Sequence, residues 1–449
     1  MVLVYTEKYT PRVKYIFEHI FRDILKVEVS FTNKIEVAEE SVIPVICYSR
    51  VQKVPNSFTI EPNGLLFSKG IKEIFPEVVG WNNTKIFFKT SSPDFDLPFD
   101  LFSAAFYLIT RYEEYENSDL DEHGRYKAEN SLAFRNDFLD EPLVDQWAYL
   151  LEDLLIKRFP DFKKKEKSRF RFCPTVDIDH VYKFRSKFLC VNLFRMAQKL
   201  FKRDWGGFKF QLRVLLHLEE DPFFNVSYIV DIHNKNGVIP VFFLHVGPRG
   251  KYDGYSFYHP YYRIKKIFYS TLIVGFHPSY SVDLNIKKLI QEKRRLENLT
   301  KVKVQINRFH FLKFSFPQSF QMLEQIGITS DYSLGYSHYI GFRASTCTPF
   351  YFYDLVQDRI SSLKLHPLVI MDVTLKKYMG KSSEELFDIM SEYAEKIKEV
   401  NGEFVSLFHN ESLSDDNFWS GWREQYQKAI RYISLLEIYD KEEALEKSR

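Results

Sequence analysis

The second half of the chain repeats one pattern, in which a short apolar run is followed by a longer segment with apolar residues at helical spacing. Short apolar runs are typical of buried strands, and strands that alternate with helices form parallel sheets. Six or seven such units predict an α/β fold, a closed or nearly closed (β/α)7-8 barrel. The predicted strands are 172–179, 238–244, 272–276, 303–306, 327–331, 368–372 and 404–408, and the predicted helices include 285–298 and 382–400.

The first half begins differently, and 449 residues exceed what one hydrophobic core usually serves. We therefore expect a smaller α/β domain of unknown role over 1–165 and the barrel over 170–445, with the charged stretch 161–169 as the boundary. A polar loop at 113–140 lacks the glycine and glutamate spacing of a calcium-binding EF-hand and is predicted to pack on the neighbouring domain. In this half the predicted strands are 2–5, 27–31, 43–48, 65–67 and 86–88, and the predicted helices are 11–25, 101–112 and 143–159.

Charge and cysteine content limit the functional class. The 62 basic and 60 acidic residues give a net charge of +2, so no overall field favours nucleic acid as a partner. The four cysteines form no C-x-x-C pair and fit a reducing compartment. No signal peptide and no membrane-spanning run is seen, so we expect a cytoplasmic protein without an integral membrane segment. The sequence leaves the oligomeric state open.

Polar residues stand at or just past the carboxyl ends of the predicted strands. In a parallel barrel these ends meet at one face, where active sites are assembled from distant segments. Two carboxylates two residues apart can divide metal binding and proton transfer between them, and neutral imidazole is a good ligand for zinc, iron, nickel or cobalt. The strand-end residues are Asp177, Asp179, His277, Asp372 and His409.

Residues 170–415 resemble the polysaccharide deacetylases of the NodB-homology type, carbohydrate esterase family 4, whose fold is a distorted barrel. Thr175-Val-Asp-Ile-Asp179 is similar to a variant of the family's first motif. The resemblance implies that Asp177 is the catalytic base and that Asp179 is a metal ligand. The second family motif, H-x-x-x-H, is present as His277-Pro-Ser-Tyr-Ser281, so serine replaces the second histidine.

The third family motif supplies an arginine that orients the base, and Arg308 occupies the matching stretch. His310 stands where the family usually has proline, and we expect it to supply the missing imidazole. One carboxylate and two histidines with open positions suit a catalytic divalent metal, most simply zinc, with cobalt, nickel or iron as alternatives. His245, Ser281 and Tyr280 remain competing candidates for the third ligand.

The remaining candidates also follow from the resemblance. His409 matches the family's general acid, and Asp372 takes the part of the residue that tunes it. Residues 331–335 and 341–346 resemble segments of a subgroup with an N-terminal extension from bacterial surface-polysaccharide gene clusters, which makes Arg343 a candidate for substrate binding. Tyr280 is a second candidate for substrate binding.

The expected function is metal-dependent removal of N-acetyl groups from a sugar or polysaccharide precursor. The leading alternative is a carbohydrate-binding or scaffolding protein that kept the barrel and lost catalysis with the second histidine. A third hypothesis keeps metal-dependent hydrolysis but changes the substrate to a cyclic amide or a formamide, because the chemistry does not depend on the neighbours of the acyl group.

Overall fold

The computed structural model describes residues 1–115, 119–165, 169–253, 273–414 and 416–447. Residues 166–168, in the predicted domain boundary, and Leu272, in a predicted strand, lie outside these ranges.

The N-terminal sheet is formed by four parallel strands, β1 (Val2–Thr6), β2 (Val29–Thr32), β3 (Val45–Tyr48) and β4 (Phe58–Ile60). Their order is β2-β1-β3-β4, and β1 is buried along its whole length. These positions confirm the predicted strands at 2–5, 27–31 and 43–48. A separate antiparallel ribbon is formed by β5 (Val79–Trp81) and β6 (Thr84–Ile86).

The strand predicted at 65–67 is wrong, because Leu65–Phe67 forms a 3-10 turn. Gly64 precedes it in a left-handed conformation with φ 108°, which turns the chain out of an extended path. Both leucines of the turn are buried. The run of three apolar residues is therefore explained by packing in the core and does not form a strand.

Two long N-terminal helices begin with side-chain caps of the expected kind. Thr10 accepts a hydrogen bond from the backbone N–H of Val13, and Asp100 accepts one from Ser103. Every residue of the helix that follows Asp100 is buried, which makes it a central element of the core. The helices of the N-terminal part are α1 (Pro11–Glu18, continued by a π-helical turn over His19–Ile24), α2 (Ile35–Glu39), α3 (Leu101–Ile109), α4 (Leu132–Arg135) and α5 (Leu143–Arg158).

The second sheet has nine strands within the described residues, in the order β12-β13-β11-β10-β9-β8-β7-β15-β14, counted along the chain. Only the pair β12–β13 is antiparallel. Each of the seven strand regions predicted for this half overlaps a strand, although 303–306 does so only at Ile306. The antiparallel hairpin β12–β13 was missed because it lies outside the strand–helix repeat. The strands are β7 (Arg171–Ile178), β8 (Val241–His245), β9 (Ile273–His277), β10 (Ile306–Asn307), β11 (Ser330–Asp331), β12 (Phe350–Asp354), β13 (Arg359–Leu365), β14 (Leu368–Met371) and β15 (Glu403–His409).

This sheet curls around its own interior. Cys173 of β7, Phe243 of β8 and Leu368 of β14 share one buried cluster with Tyr332, which follows β11. Strands from both halves of the sheet therefore face the same interior. No ladder joins β12 to β14 in the part of the chain that the structure describes, so the curled sheet is open along one side.

Helices pack against the curled sheet, and the first two of them pack against each other as a helical hairpin. The described helices contain none that is long and apolar enough to cross a membrane. They are α6 (Leu189–Phe201), α7 (Trp205–Leu215), α8 (Val226–Lys235), α9 (Ile286–Thr300), α10 (Gln318–Gln325), α11 (Glu384–Glu399) and α12 (Trp422–Lys447).

The N-terminal part packs on the curled sheet through one continuous hydrophobic core. Buried polar contacts reinforce this packing. The Nε atom of Arg12 lies 2.8 Å from Oδ1 of Asp358, and the hydroxyl of Tyr15 donates to the carbonyl of Tyr351 at 2.7 Å. The loop predicted to pack on the neighbouring domain does so, because Nη1 of Arg125 donates to the carbonyl of Phe311 at 2.9 Å.

Candidate active site

Polar side chains at one edge of the curled sheet surround a cavity of about 180 Å³. Parallel pairing of β7 with β15 places His409 opposite Asp177, and pairing of β8 with β9 places His277 opposite His245. The carboxyl ends of these strands therefore meet at one edge, as parallel strands require. The predicted site residues that line the cavity are Asp177, Asp179, His277, His310 and His409.

Asp179, His277 and His310 form a group whose ligand atoms all lie within 4.8 Å of one another. Nδ1 of His277 lies 2.7 Å from the carbonyl oxygen of Arg308 and must be the protonated nitrogen, which leaves a lone pair on Nε2. That Nε2 atom is 3.2 Å from Oδ1 of Asp179, yet both atoms are buried without a hydrogen-bond partner. Two facing lone pairs of this kind fit a bound cation.

His310 is held between two carboxylates. Its Nε2 atom lies 3.4 Å from Oδ2 of Asp179, and its Nδ1 atom lies 3.2 Å from Oδ1 of Asp253. Burial opposes protonation of His310, but the two carboxylates outweigh it and raise its pKa to about 9. A carboxylate on the far nitrogen of an imidazole is the usual support of a metal-binding histidine, because it fixes the ring and the tautomer.

Burial raises the pKa of Asp179, but the neighbouring imidazoles of His310, His277 and His409 hold it well below its usual range. Asp179 is thus an ionised carboxylate at the centre of three histidines. A cation bound between Asp179 and Nε2 of His310 would take the place of the proton that the two carboxylates hold on this histidine.

A second group, formed by His245, Asp253 and His310, also lies within ligand distance. The rings of His245 and His310 are 5.0 Å apart, so His245 stays a competing candidate for a metal ligand. Burial and the neighbouring imidazoles lower the pKa of His245 to about 3, which keeps its ring neutral. The hydroxyl of Ser281, another competitor, lies 3.0 Å from the hydroxyl of Ser279.

Arg308 fixes one carboxylate oxygen of Asp177. The guanidinium is fully buried, and its Nη1 atom lies 3.1 Å from Oδ1 of Asp177 and 2.5 Å from the hydroxyl oxygen of Thr175. Its Nε atom donates to the carbonyl of Tyr332 at 3.0 Å, and the ring of Phe243 packs against its flat face. The second oxygen of Asp177 is left to face the cavity, 3.5 Å from Nε2 of His277.

His409 and Asp372 form a second fixed pair. Oδ1 of Asp372 lies 2.8 Å from Nδ1 of His409, while its Oδ2 atom accepts from the backbone N–H of His409 and from the hydroxyl of Ser412. Burial opposes protonation, but Asp372 first, and then Asp179 and Asp177, raise the pKa of His409 to about 10. His409 is therefore an imidazolium whose Nε2–H faces the cavity, 3.7 Å from Oδ2 of Asp179.

The two residues predicted to bind substrate are not part of the described lining of the cavity, and their role in binding stays a prediction. Arg343 is buried against Glu114, at 2.5 Å between Nη2 and Oε2, and does not belong to the described lining of the cavity. Tyr280 also lies outside that lining, and its hydroxyl is 3.3 Å from Nδ1 of His123. The position of Arg343 corresponds to a structural ion pair, since its charge is already compensated.

Sequence reasoning missed several residues of the cavity wall. Arg125 reaches it from the polar loop of the N-terminal part, and Glu411 stands two residues after His409. The spacing of Glu411 from His409 is a signal that could have been used, because His409 ends β15 and Glu411 follows it by two residues. Lys377 and Trp419 come from segments beyond β14 and β15, and their sequence surroundings carry no comparable signal.

A family described as "Family of unknown function (DUF7033)" matches residues 2–160, which is less than half of the chain. No curated protein matches.

Two solved structures are similar at low identity. One, a putative polysaccharide deacetylase from Mycobacterium smegmatis, is 15% identical, with 61% of this chain and 86% of that chain covered and a TM-score of 0.40. The other is described as a putative polysaccharide deacetylase involved in O-antigen biosynthesis, from Bordetella bronchiseptica. It is 12% identical, with 60% of this chain and 90% of that chain covered and a TM-score of 0.33. Such distant likeness leaves the function to be argued from the site.

Proposed function

We propose that the chain is a metal-dependent hydrolase that removes the acetyl group from an N-acetylated sugar, a precursor of a surface polysaccharide. One observation carries the proposal. The unpaired lone pairs of Asp179 and His277 share a single cavity with a carboxylate fixed by Arg308 and an imidazolium fixed by Asp372. Metal-dependent amide hydrolysis uses a cation, a base and an acid around one bond, and this cavity has residues for each part.

Asp179, His277 and His310 would hold the cation. A divalent ion, most simply zinc, supplies polarisation of an acyl carbonyl and a lowered pKa for a water molecule. Cobalt, nickel and iron suit the same one-carboxylate, two-imidazole donor set.

Asp177 acts as the general base in this proposal. Its free oxygen faces the cavity, and Arg308 fixes the other oxygen, so the carboxylate can accept a proton from a water molecule without turning away. The guanidinium is in turn held by Thr175 and by the carbonyl of Tyr332. Arg308 is a positioning residue because it acts through Asp177.

His409 acts as the general acid. Its Nε2–H points into the cavity, where it can protonate the departing sugar nitrogen, while Asp372 holds Nδ1 and stabilises the imidazolium. The aromatic ring of Trp419 and the ring of Phe311 line the same cavity and offer apolar faces to a sugar ring.

The test is metal analysis of the purified chain combined with acetate release from N-acetylated oligosaccharides and from nucleotide-linked and lipid-linked N-acetyl sugars. We expect about one divalent ion per chain and acetate release that stops when the ion is chelated and returns when it is restored. A protein that binds these sugars but holds no metal and releases no acetate would instead be the inactive carbohydrate-binding protein. Release of formate from a formamide, with no acetate from any sugar, would keep the chemistry and change the substrate.

A further inference from the structure

The helical hairpin α6–α7 has an unusual surface. Large apolar side chains normally lie scattered over a protein surface. Here eleven of the twenty-eight exposed large hydrophobic residues among the described residues fall within 188–218. They are Phe188, Leu189, Leu193, Phe194, Leu200, Phe201, Trp205, Phe210, Leu212, Leu216 and Leu218.

The large exposed apolar residues of α6 lie along one side of the helix. Leu189, Leu193 and Leu200 recur at helical spacing, and Phe194 and Phe201 lie beside them. Two residues of α6 are buried on its inward side, Met196 and the polar Asn192. Its Nδ2 atom donates to the carbonyl of Phe184 at 3.0 Å. The amphipathic helix therefore directs its apolar face outwards.

Positive charge accompanies this face. Residues 187–213 contain seven basic residues and one acidic residue, a net charge of +6 where the whole chain carries +2. Basic residues on an otherwise aromatic and leucine-rich hairpin are the composition of helices that lie in the interface of an anionic bilayer.

The segment between the cavity and the hairpin is short. The first helix of the hairpin begins ten residues after Asp179. On the connecting segment, Lys183 forms an ion pair with Asp416, whose carbonyl accepts from the backbone N–H of Trp419. Trp419 lines the cavity, so the segment that leads into the hairpin is tied to the cavity wall.

We propose that the outward face of α6–α7 docks on the surface of an anionic lipid membrane. The aromatic and leucine side chains enter the boundary between headgroups and acyl chains, and the basic residues contact the lipid phosphates. The inference rests on the hairpin alone and does not depend on the activity of the cavity.

A second copy of the chain is a poorer occupant of this face. A two-fold interface places the same patch on both partners, which would bring the +6 segment of one copy against that of the other. An anionic membrane matches both the apolar area and the charge.

The test is flotation of the full-length chain with phosphatidylcholine vesicles, with and without phosphatidylglycerol, at low and high salt. We expect binding only to the anionic vesicles and weaker binding at high salt, because salt screens surface charges. The double substitution Phe194→Glu with Phe201→Glu should weaken binding at least about tenfold. Phe75→Glu is the matched control, since Phe75 is 82% exposed and Phe201 is 92% exposed, and it should bind like the unchanged chain.

A second pair of variants tests the charge. Arg195→Gln with Lys202→Gln should weaken binding by about fivefold for each charge removed, whereas Lys8→Gln with Lys69→Gln should change little. The thiol of Cys190 offers an independent readout, because it is exposed on the hairpin while Cys47, Cys173 and Cys347 are buried. A fluorophore on Cys190 should shift to the blue when anionic vesicles are added.

Three results would overturn the proposal. One is absence of binding to anionic vesicles by the unchanged chain, and another is equal binding by the Phe194→Glu, Phe201→Glu variant with its native circular dichroism. The third is a dimer of the unchanged chain, in sedimentation without lipid, that the same double substitution converts to a monomer. That result would assign the face to a second copy.

Discussion

Two buried ionic groups of this chain are built in opposite ways. At the junction between the N-terminal part and the curled sheet, Arg343 uses Nε and Nη2 on Glu114 and Nη1 on the carbonyl of Gly335. At the cavity, Oδ1 of Asp179 and Nε2 of His277 are buried and accept no hydrogen bond. Burial of charge is costly unless it is compensated, so the saturated pair has a structural role and the unsaturated pair calls for a ligand.

The largest effect should follow from removing the unsaturated carboxylate. Asp179→Ala leaves His277 and His310 without their shared partner, and we expect metal content and acetate release both to fall to background. Elemental analysis and an acetate assay on the same preparation measure this. A variant that keeps one ion per chain would remove Asp179 from the ligand set, and a normal thermal melt serves as the folding control.

Asp177→Asn should separate base chemistry from metal binding. The amide keeps the shape of the carboxylate but cannot accept the proton, so we expect turnover to fall by about 10²–10⁴-fold with metal content unchanged. Turnover near that of the unchanged chain would exclude Asp177 as the base. Loss of the ion in this variant would instead assign Asp177 to the metal.

Breaking the saturated pair should affect stability and leave the cavity intact. Arg343→Met leaves Glu114 buried with one cation fewer, and we expect the free energy of unfolding to fall by about 3–5 kcal/mol. Urea denaturation measures the loss. Arg359→Met, which breaks a far more exposed pair with Glu324, is the control and should cost less than about 1 kcal/mol. Loss of the ion in folded Arg343→Met would contradict the division between the two groups.

His233 is a third kind of buried group, neutral and satisfied without a charged partner. Its Nδ1 atom lies 2.7 Å from the carbonyl of Ile229 and its Nε2 atom 3.0 Å from the hydroxyl of Tyr426. Burial lowers its pKa from 6.5 to about 4, so the unfolded chain binds this proton first as the pH falls. The stability that neutral His233 contributes above pH 6.5 is therefore lost as the pH falls from about 6.5 to 4.

This contribution of His233 amounts to about 3 kcal/mol. His233→Gln should flatten the fall in unfolding free energy over that pH range, as measured by urea denaturation at several pH values. His217→Gln, at an exposed histidine, should leave the pH dependence as it is. An unchanged slope in His233→Gln would show that other groups govern the acid response.

The smallest effect tests the support of His310. Asp253→Asn weakens the hold on Nδ1 of His310, and we expect metal affinity to fall by about 10–100-fold with one ion still bound at saturation. Competition with a chromophoric chelator measures the affinity. A complete loss of binding would make Asp253 a ligand, in line with the second group that contains His245.

Much of this arrangement could be predicted from local sequence. The run that ends in Asp177 and Asp179 predicted a strand with carboxylates at its tip, since both the apolar run and the polar end are local features. The same holds for His277 and for His409. Their meeting at one edge followed from the parallel sheet, which the strand–helix repeat indicated.

The rest depends on contacts that no local pattern carries. Glu114 and Arg343 are 229 residues apart, and the sequence around neither residue predicts their ion pair. Arg343 was therefore predicted to bind substrate, whereas its charge is used at the junction. The hairpin β12–β13 lies outside the strand–helix repeat and was missed for that reason. In the structure it contacts Tyr15 and Arg12 of the N-terminal part.

The continuous core has a consequence for how the chain can be divided. Phe106 of α3 packs edge-on against Tyr353 of β12, with ring centres 5.2 Å apart, and Asp145 of α5 accepts from the hydroxyl of Thr348 just before that strand. Division of the chain at the charged stretch 161–169 would expose apolar surface on both halves. Experiments on the cavity therefore require the N-terminal part together with the curled sheet.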